Sequence, residues 1–311
     1  MSTHPANDKR TLYFDESAKT SVSTDNVYLE ASEQFANTTY TQELSERTLI
    51  YLKIGYPVHL TGPAGIGKTT MALHIAAQLG NPVILVHGND EFTSSDLIGK
   101  GSGYHRSHVI DNFVHSVVKT EEEITTLWID NHLTLACEQG YTLVYDEFNR
   151  SRAEANNVLL SVLSEGILSL QGRRQKDKAG YMEVHANFRA IFTSNSEEYV
   201  GIHKTQNALT DRLITILVNY PDRESEIQIV QKRSGISRQD AETIVNIARA
   251  IRQAKIHNPS IRACIAIARV LAYLQRSAEI TAPWFQTICR DIFGIESNML
   301  AQLINSLNTL M

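Results

Sequence analysis

The sequence predicts an α/β protein built on a parallel sheet, with a smaller all-helical domain behind it. Three observations carry that expectation. Between residues 57 and 220, short apolar β-branched runs alternate with helical stretches, as strand–helix–strand crossovers do. A glycine-rich octet, Gly62 to Thr69, stands between the first such run and the first such helix. After Pro221 the strand-like runs stop and only helical periodicity remains.

In chain order, residues 1–44 come first. They carry three Lys/Arg against seven Asp/Glu, are rich in Ser and Thr, and hold no sustained apolar period. They read as a loosely ordered acidic arm. Strands are expected at 58–61 (VHLT), 83–86 (VILV), 141–145 (YTLVY), 188–193 (FRAIFT) and 213–218 (LITILV), each short and apolar like a strand buried on both faces. Helices are expected at 68–79, around 121–139 and at 152–165. The stretch 166–185 differs. There ILSL and YMEV flank a glycine-containing segment rich in Lys and Arg, which reads as a β-hairpin with a basic tip. Four further helices are expected at 222–233, 238–256, 261–275 and 284–292. The expected division is therefore an arm (1–44), an α/β domain with a hairpin insertion (45–221) and a helical domain (222–311).

Composition narrows the class. The chain has 311 residues, 42% hydrophobic and 20% charged, which suits a water-soluble chain with a substantial core and excludes fibrous or wholly disordered classes. A formal net charge of −5 argues against bulk electrostatic capture of nucleic acid. Cys137, Cys264 and Cys289 are odd in number and widely spaced, so a disulfide framework and a CxxC zinc site are both ruled out. No apolar run approaches a membrane span and the polar N-terminus is not a signal peptide, so the expected location is cytoplasmic.

The octet Gly62-Pro63-Ala64-Gly65-Ile66-Gly67-Lys68-Thr69 fits GxxxxGK[ST] at every fixed position, and a strand precedes it and a helix follows it, as this motif requires. Its glycines let backbone N–H groups turn inward around phosphate oxygens, and the helix N-terminus adds positive potential. Residues 62–69, with Thr70 behind them, are therefore the expected ATP-binding loop of a P-loop NTPase. Lys68 is expected on the β- and γ-phosphates and the Thr69 hydroxyl on Mg²⁺.

Such a loop needs a carboxylate for the metal. The apolar run Leu143-Val144-Tyr145 ends in Asp146-Glu147. Alone, this could be a strand ending in an acidic turn. One crossover after a P-loop, Asp146 is the expected second metal residue, and Glu147 the group that polarises the attacking water. A third run ends Phe192-Thr193-Ser194-Asn195. Alone, Asn195 could be a turn residue; in this company it is expected to orient the water or touch the γ-phosphate.

Together with Ala208-Leu209-Thr210-Asp211-Arg212-Leu213 and the helical C-terminal part, these motifs resemble the AAA+ ATPases. Asp96-Leu97-Ile98-Gly99, Asp146-Glu147-Phe148-Asn149-Arg150 and Pro259-Ser260-Ile261-Arg262-Ala263 are similar to the MoxR branch. The stretches 112–118, 127–130 and 163–168 resemble its gas-vesicle members. The resemblance implies a five-stranded sheet of order 5-1-4-3-2 with a helical lid, ATP hydrolysis with Mg²⁺, and a hexameric ring of identical subunits. It makes Arg212 an arginine finger toward the neighbouring subunit and Arg262 a lid arginine toward the γ-phosphate of its own subunit. Arg150 and Arg152 become further interface candidates, and 99–120 and 166–185 become insertions facing the ring axis or a substrate. The implied activity is remodelling in gas vesicle assembly or growth, with vesicle shell or accessory proteins as partners and neither nucleic acid nor membrane. An activating role beside a partner with a von Willebrand A domain is the alternative, and a nucleic-acid-directed ATPase a weaker one.

One departure from translocating members is plain. The segment after VILV reads HGNDEFTSSDLIG, without an aromatic–hydrophobic–Gly tripeptide; Tyr199-Val200-Gly201 has those residue types but follows Asn195. This suits action through surface loops rather than threading. The eleven histidines form no HExxH or HxxEH motif, so none is read as a metal ligand. Trp128 and Trp284 are expected on apolar helix faces.

Overall fold

The computed structural model describes residues 35–111, 119–170, 180–196 and 207–296. At its centre five strands, β1 (Val58–Gly62), β2 (Val83–His87), β5 (Thr142–Asp146), β8 (Arg189–Asn195) and β9 (Ile214–Leu217), form one parallel sheet. Its order is β2-β5-β8-β1-β9, which in sequence rank, read from the other edge, is the expected 5-1-4-3-2. Burial of all five residues of β5 explains why this strand reads as an unbroken apolar run; the edge strand β9 keeps one face exposed. Register fixes the site: Gly62 pairs with Asn195, and His87 with Asp146. The ends of four strands therefore meet at one carboxyl edge, where open α/β sheets bind ligands.

Helices cover both faces. The helix α2 (Lys68–Gln78) buries Met71, Ala72 and Ile75 on one side, in a cluster with Val58, Leu60 and Ile191. On the other, α4 (His132–Gln139) and α6 (Val158–Glu165) cover Leu143, Tyr145 and Phe192. A short α5 (Ala153–Asn156) precedes α6, and α7 (Asn207–Thr210) precedes β9. The first helix, α1 (Thr39–Lys53), begins inside the segment read as acidic arm. A capping box starts it: the Thr41 N–H donates to Thr38 Oγ1 at 3.3 Å and the Thr38 N–H to Thr41 Oγ1 at 2.8 Å. Residues 1–34 lie outside the described part.

The region before β5 corrects one expectation. Instead of a helix around 121–139, residues Lys119–Asp130 form strand β4, antiparallel to β3 (Gly99–Asp111), and only His132–Gln139 is helical. Glu121–Glu123 suggest helix locally, but Thr120, Ile124, Thr125, Thr126 and Ile129 are β-branched, and strand propensity is decided by the partner. That partner begins in a glycine-rich run that reads as loop. A short α3 (Ser94–Ile98), capped by Thr93, leads into this hairpin. Trp128 therefore lies on a strand, opposite Gly101. The hairpin expected at 166–185 is present as β6 (Ile167–Ser169) against β7 (Tyr181–Glu183), its basic tip at 171–179 lying outside the described residues.

The C-terminal part is helical as expected: α8 (Arg223–Ser234), α9 (Arg238–Gln253), α10 (Ile261–Leu274) and α11 (Pro283–Phe293). Ile244, Ile251, Ile267, Leu271 and Phe285 form its separate core, with Trp284 packed at the margin. It docks on the glycine-rich loop: the Arg262 N–H donates to the Gly65 carbonyl at 3.1 Å.

Candidate active site

At the carboxyl edge of the sheet, the loop between β1 and α2 turns tightly. Gly65 (φ 72°) and Gly67 (φ 97°) take left-handed conformations, which glycine adopts without steric cost. Gly67 is the N-cap of α2, so Lys68 and Thr69 occupy its first turn. The Lys68 ammonium is buried. It donates to the carbonyls of Gly62 (2.8 Å) and Pro63 (2.7 Å) and to Asn195 Oδ1 (2.8 Å).

The acids stand opposite. Thr69 Oγ1 donates to Asp146 Oδ1 at 2.6 Å, and the hydroxyl of Thr193 donates to the same oxygen. Glu147 is held in a left-handed conformation (φ 51°, ψ 39°), uncommon for a residue with a side chain. Its N–H donates to Thr193 Oγ1 at 3.0 Å. Its carboxylate accepts from Asn195 Nδ2 at 3.4 Å and pairs with Arg150 Nη1 at 2.8 Å. Lys68, Thr69, Asp146, Glu147 and Asn195, named from separate stretches of sequence, thus belong to one hydrogen-bonded cluster.

Beneath this cluster runs a buried polar seam. His59 on β1 contacts Ser194 Oγ through Nε2 (2.7 Å) and Thr215 Oγ1 through Nδ1 (3.2 Å), and Ser194 donates to Thr61 Oγ1 at 3.0 Å. Burial, reinforced by the Lys68 charge, pushes the His59 pKa down to about 4, so the ring is neutral at physiological pH.

Beside the loop is a cavity of about 340 Å³. Gly65, Gly67, Thr70 and Met71 line it from the α/β part, and Ile229, Arg233, Ile261, Arg262 and Arg269 from the helical part. Its largely apolar wall with a few polar groups is typical of small-molecule sites. Arg212 lies elsewhere: exposed, its Nε donates to Ser164 Oγ and its Nη1 to the Ala208 carbonyl at 2.6 Å. It is not part of the cluster around Lys68. Arg150 is paired with Glu147 of its own chain.

Three contributors were not singled out from the sequence. Thr193 was legible, because residues two apart on a strand share a face and Thr193 precedes Asn195 by two. Arg233 and Arg269 carry no local signal and reach the cavity only because the helical part docks there. Among the described residues no cluster of His, Cys, Asp and Glu could hold a metal ion by itself. The hard oxygens of Thr69 and Asp146 suit a small divalent cation that keeps other ligands from phosphate or water.

Known proteins place this geometry. Residues 57–213 match the family described as AAA domain (dynein-related subfamily), and residues 226–277 match CbbQ/NirQ/NorQ C-terminal. The gas vesicle ATPase GvpN of Ancylobacter aquaticus is 46% identical over 269 residues, spanning 86% of this chain and 74% of that protein. GvpN of Haloferax mediterranei is 42% identical over 271 residues, 87% of this chain and 77% of that one. Protein NorQ of Paracoccus denitrificans is 30% identical over 203 residues, 64% of this chain and 66% of its own. With the AAA domain covering half its length and two such relatives matched over most of theirs, the chain belongs to the GvpN family of gas vesicle ATPases.

Proposed function

We propose that this chain hydrolyses ATP with Mg²⁺ to drive gas vesicle assembly or growth. The observation that carries the reading is the single hydrogen-bonded cluster of Lys68, Thr69, Asp146, Glu147 and Asn195 at the carboxyl edge of the sheet. In it, backbone N–H groups of 62–70 and the Lys68 ammonium bind the phosphates, and the cavity lined by Met71, Ile229 and Ile265 takes the base. Thr69 and Asp146 hold the metal ion, which when bound neutralises charge on the β- and γ-phosphates. Glu147 accepts a proton from the attacking water and Asn195 orients that water or the γ-phosphate. Arg262, at the cavity from the lid, stabilises charge on the transferring group. Arg212 acts on the nucleotide of the next subunit in a hexameric ring, which its exposure and distance from its own cluster allow.

In this reading residues 45–221 are the ATPase domain, 222–311 its lid and 1–44 an arm. The chain works in the cytoplasm on shell or accessory proteins of the vesicle. Among the described residues no helix is long and apolar enough to cross a membrane. Glu147→Gln is expected to retain ATP binding and reduce turnover at least about a hundredfold; normal turnover would overturn the mechanism. A vesicle-forming cell lacking this protein is expected to make few or undersized vesicles, and full-sized ones would overturn the pathway. The match of residues 226–277 to the CbbQ/NirQ/NorQ C-terminal family favours a second reading, an activator working beside a von Willebrand A-domain partner. Co-purification with such a partner instead of shell protein would select it.

A further inference from the structure

We propose that Tyr145 is a positioning residue for Glu147, holding the catalytic turn through a hydrogen-bond chain that runs from Asn89 to the carbonyl of Phe148. The inference rests on the reading of Glu147 as the group that activates water.

A left-handed residue with a side chain persists only where its surroundings over-determine it. Glu147 is gripped on its N-terminal side by β8 and by the residue that follows β2. The Gly88 N–H donates to the Asp146 carbonyl at 2.7 Å, and the Glu147 N–H donates to Thr193. A Cβ on Gly88 would lie 2.1 Å from the Glu147 carbonyl oxygen, so the chain just beyond β2 passes closely against this turn. The C-terminal side is held by side chains instead. Asn156 Nδ2 donates to the Phe148 carbonyl at 3.1 Å. This fixes the orientation of that amide, since the reverse would set two oxygens against each other. Asn156 Oδ1 then faces the Tyr145 hydroxyl at 3.1 Å and can only accept.

Tyr145 has one proton. It is shared between Ser151 Oγ, 2.7 Å away, and Asn156 Oδ1. Ser151 Oγ in turn accepts from the Asn89 N–H at 3.1 Å. The chain Asn89, Ser151, Tyr145, Asn156, Phe148 is thus continuous. Tyr145 is fully buried, and burial pushes its pKa up to about 12, so the hydroxyl keeps its proton. A buried network of this kind favours one arrangement and is costly to break in part. It joins Asn89 beyond β2, the turn carrying Glu147 and the end of α5 into one unit. Removing the Tyr145 hydroxyl leaves Asn156 Oδ1 without its donor, frees Asn156 to rotate and releases the Phe148 carbonyl beside Glu147.

The test is ATP turnover and nucleotide titration of the full-length chain. Tyr145→Phe is expected to lower kcat about tenfold or more, since small misplacements of a catalytic group are costly. The KM for ATP and the Kd of a fluorescent ATP analogue should stay within about twofold, because nothing in the chain touches the 62–70 loop. In a Glu147→Gln background the same substitution should cost nothing further, because the group being positioned is already gone. Ser151→Ala should reproduce part of the loss and Ser151→Thr, which keeps the hydroxyl, should restore it. An unchanged kcat in Tyr145→Phe, or an equal loss with and without Glu147, overturns the inference. Where Tyr145→Phe fails to fold, native kcat in Ser151→Ala and Asn156→Ala overturns it equally. Normal turnover in Glu147→Gln alone would instead sink the reading of Glu147.

Discussion

Lys68 and Asn195 meet across the carboxyl edge of the sheet, with the ammonium donating to Asn195 Oδ1 at 2.8 Å. The same amide donates from Nδ2 to Glu147 at 3.4 Å. One neutral side chain therefore separates the cation proposed to bind phosphate from the carboxylate proposed to activate water. Neutrality matters, because a carboxylate there would pair with Lys68 and repel the phosphates. Asn195→Ala is expected to lower turnover ten- to a hundredfold, roughly, while nucleotide affinity stays within about threefold. Asn195→Asp is expected to weaken ATP binding more than about tenfold, most strongly at low salt. Titration with a fluorescent nucleotide at two ionic strengths separates the two.

Gly65 carries two requirements at once. Its φ of 72° strains any other residue, and a Cβ there would lie 2.6 Å from the Ser260 Cβ at the N-cap of α10. Gly65→Ala is expected to push the lid from the loop and weaken ATP binding about tenfold, at a stability cost of about 1–2 kcal/mol. Equal nucleotide Kd for native and variant would show that the lid contact does not shape the site.

His59 makes stability depend on pH. Its pKa is about 4 in the folded chain, depressed by burial first and by Lys68 second, against 6.5 for an ordinary histidine. As pH falls from about 6.5 toward 4, the unfolded chain takes up a proton that the folded chain refuses, so stability drops; above that window the residue contributes no slope. Between pH 7.5 and 4.5 the native chain is expected to lose about 2–3 kcal/mol more than His59→Gln does. Urea midpoints of both proteins at the two pH values measure the difference, and parallel losses would contradict it.

Glu226 is buried at the base of the lid, where Arg252 holds it with two bonds of 2.7 and 2.9 Å and stacks over Tyr220 at 4.2 Å. Removing the guanidinium strands a buried carboxylate, with Arg249 only at 3.6 Å. Arg252→Met is expected to destabilise the chain by about 3 kcal/mol, and adding Glu226→Met to recover most of that loss, since a buried pair is often replaceable by apolar residues together but not singly. Thermal unfolding of the single and double variants tests both statements.

What the sequence by itself determined are the features governed by local chemistry. Gly62–Thr69 fits the P-loop pattern at every fixed position between a strand and a helix, so loop and class were legible together. The central strands are buried on both faces and their apolar runs showed it, whereas the edge strand β9 exposes Thr215 and Leu217. The lid helices were legible from periodicity and from capping residues such as Ser237 and Ser260. Tertiary structure alone decided what depends on a distant partner. Lys119–Asp130 is a strand because Gly99–Asp111 lies beside it. The left-handed turn at Glu147 stands because Thr193, Gly88 and Asn156 grip it from three other elements. Arg233 and Arg269 join the cavity only through the docking of the lid. Backbone preference is written within a few residues, whereas the fine placement of a carboxylate or a guanidinium is set by groups tens of residues away.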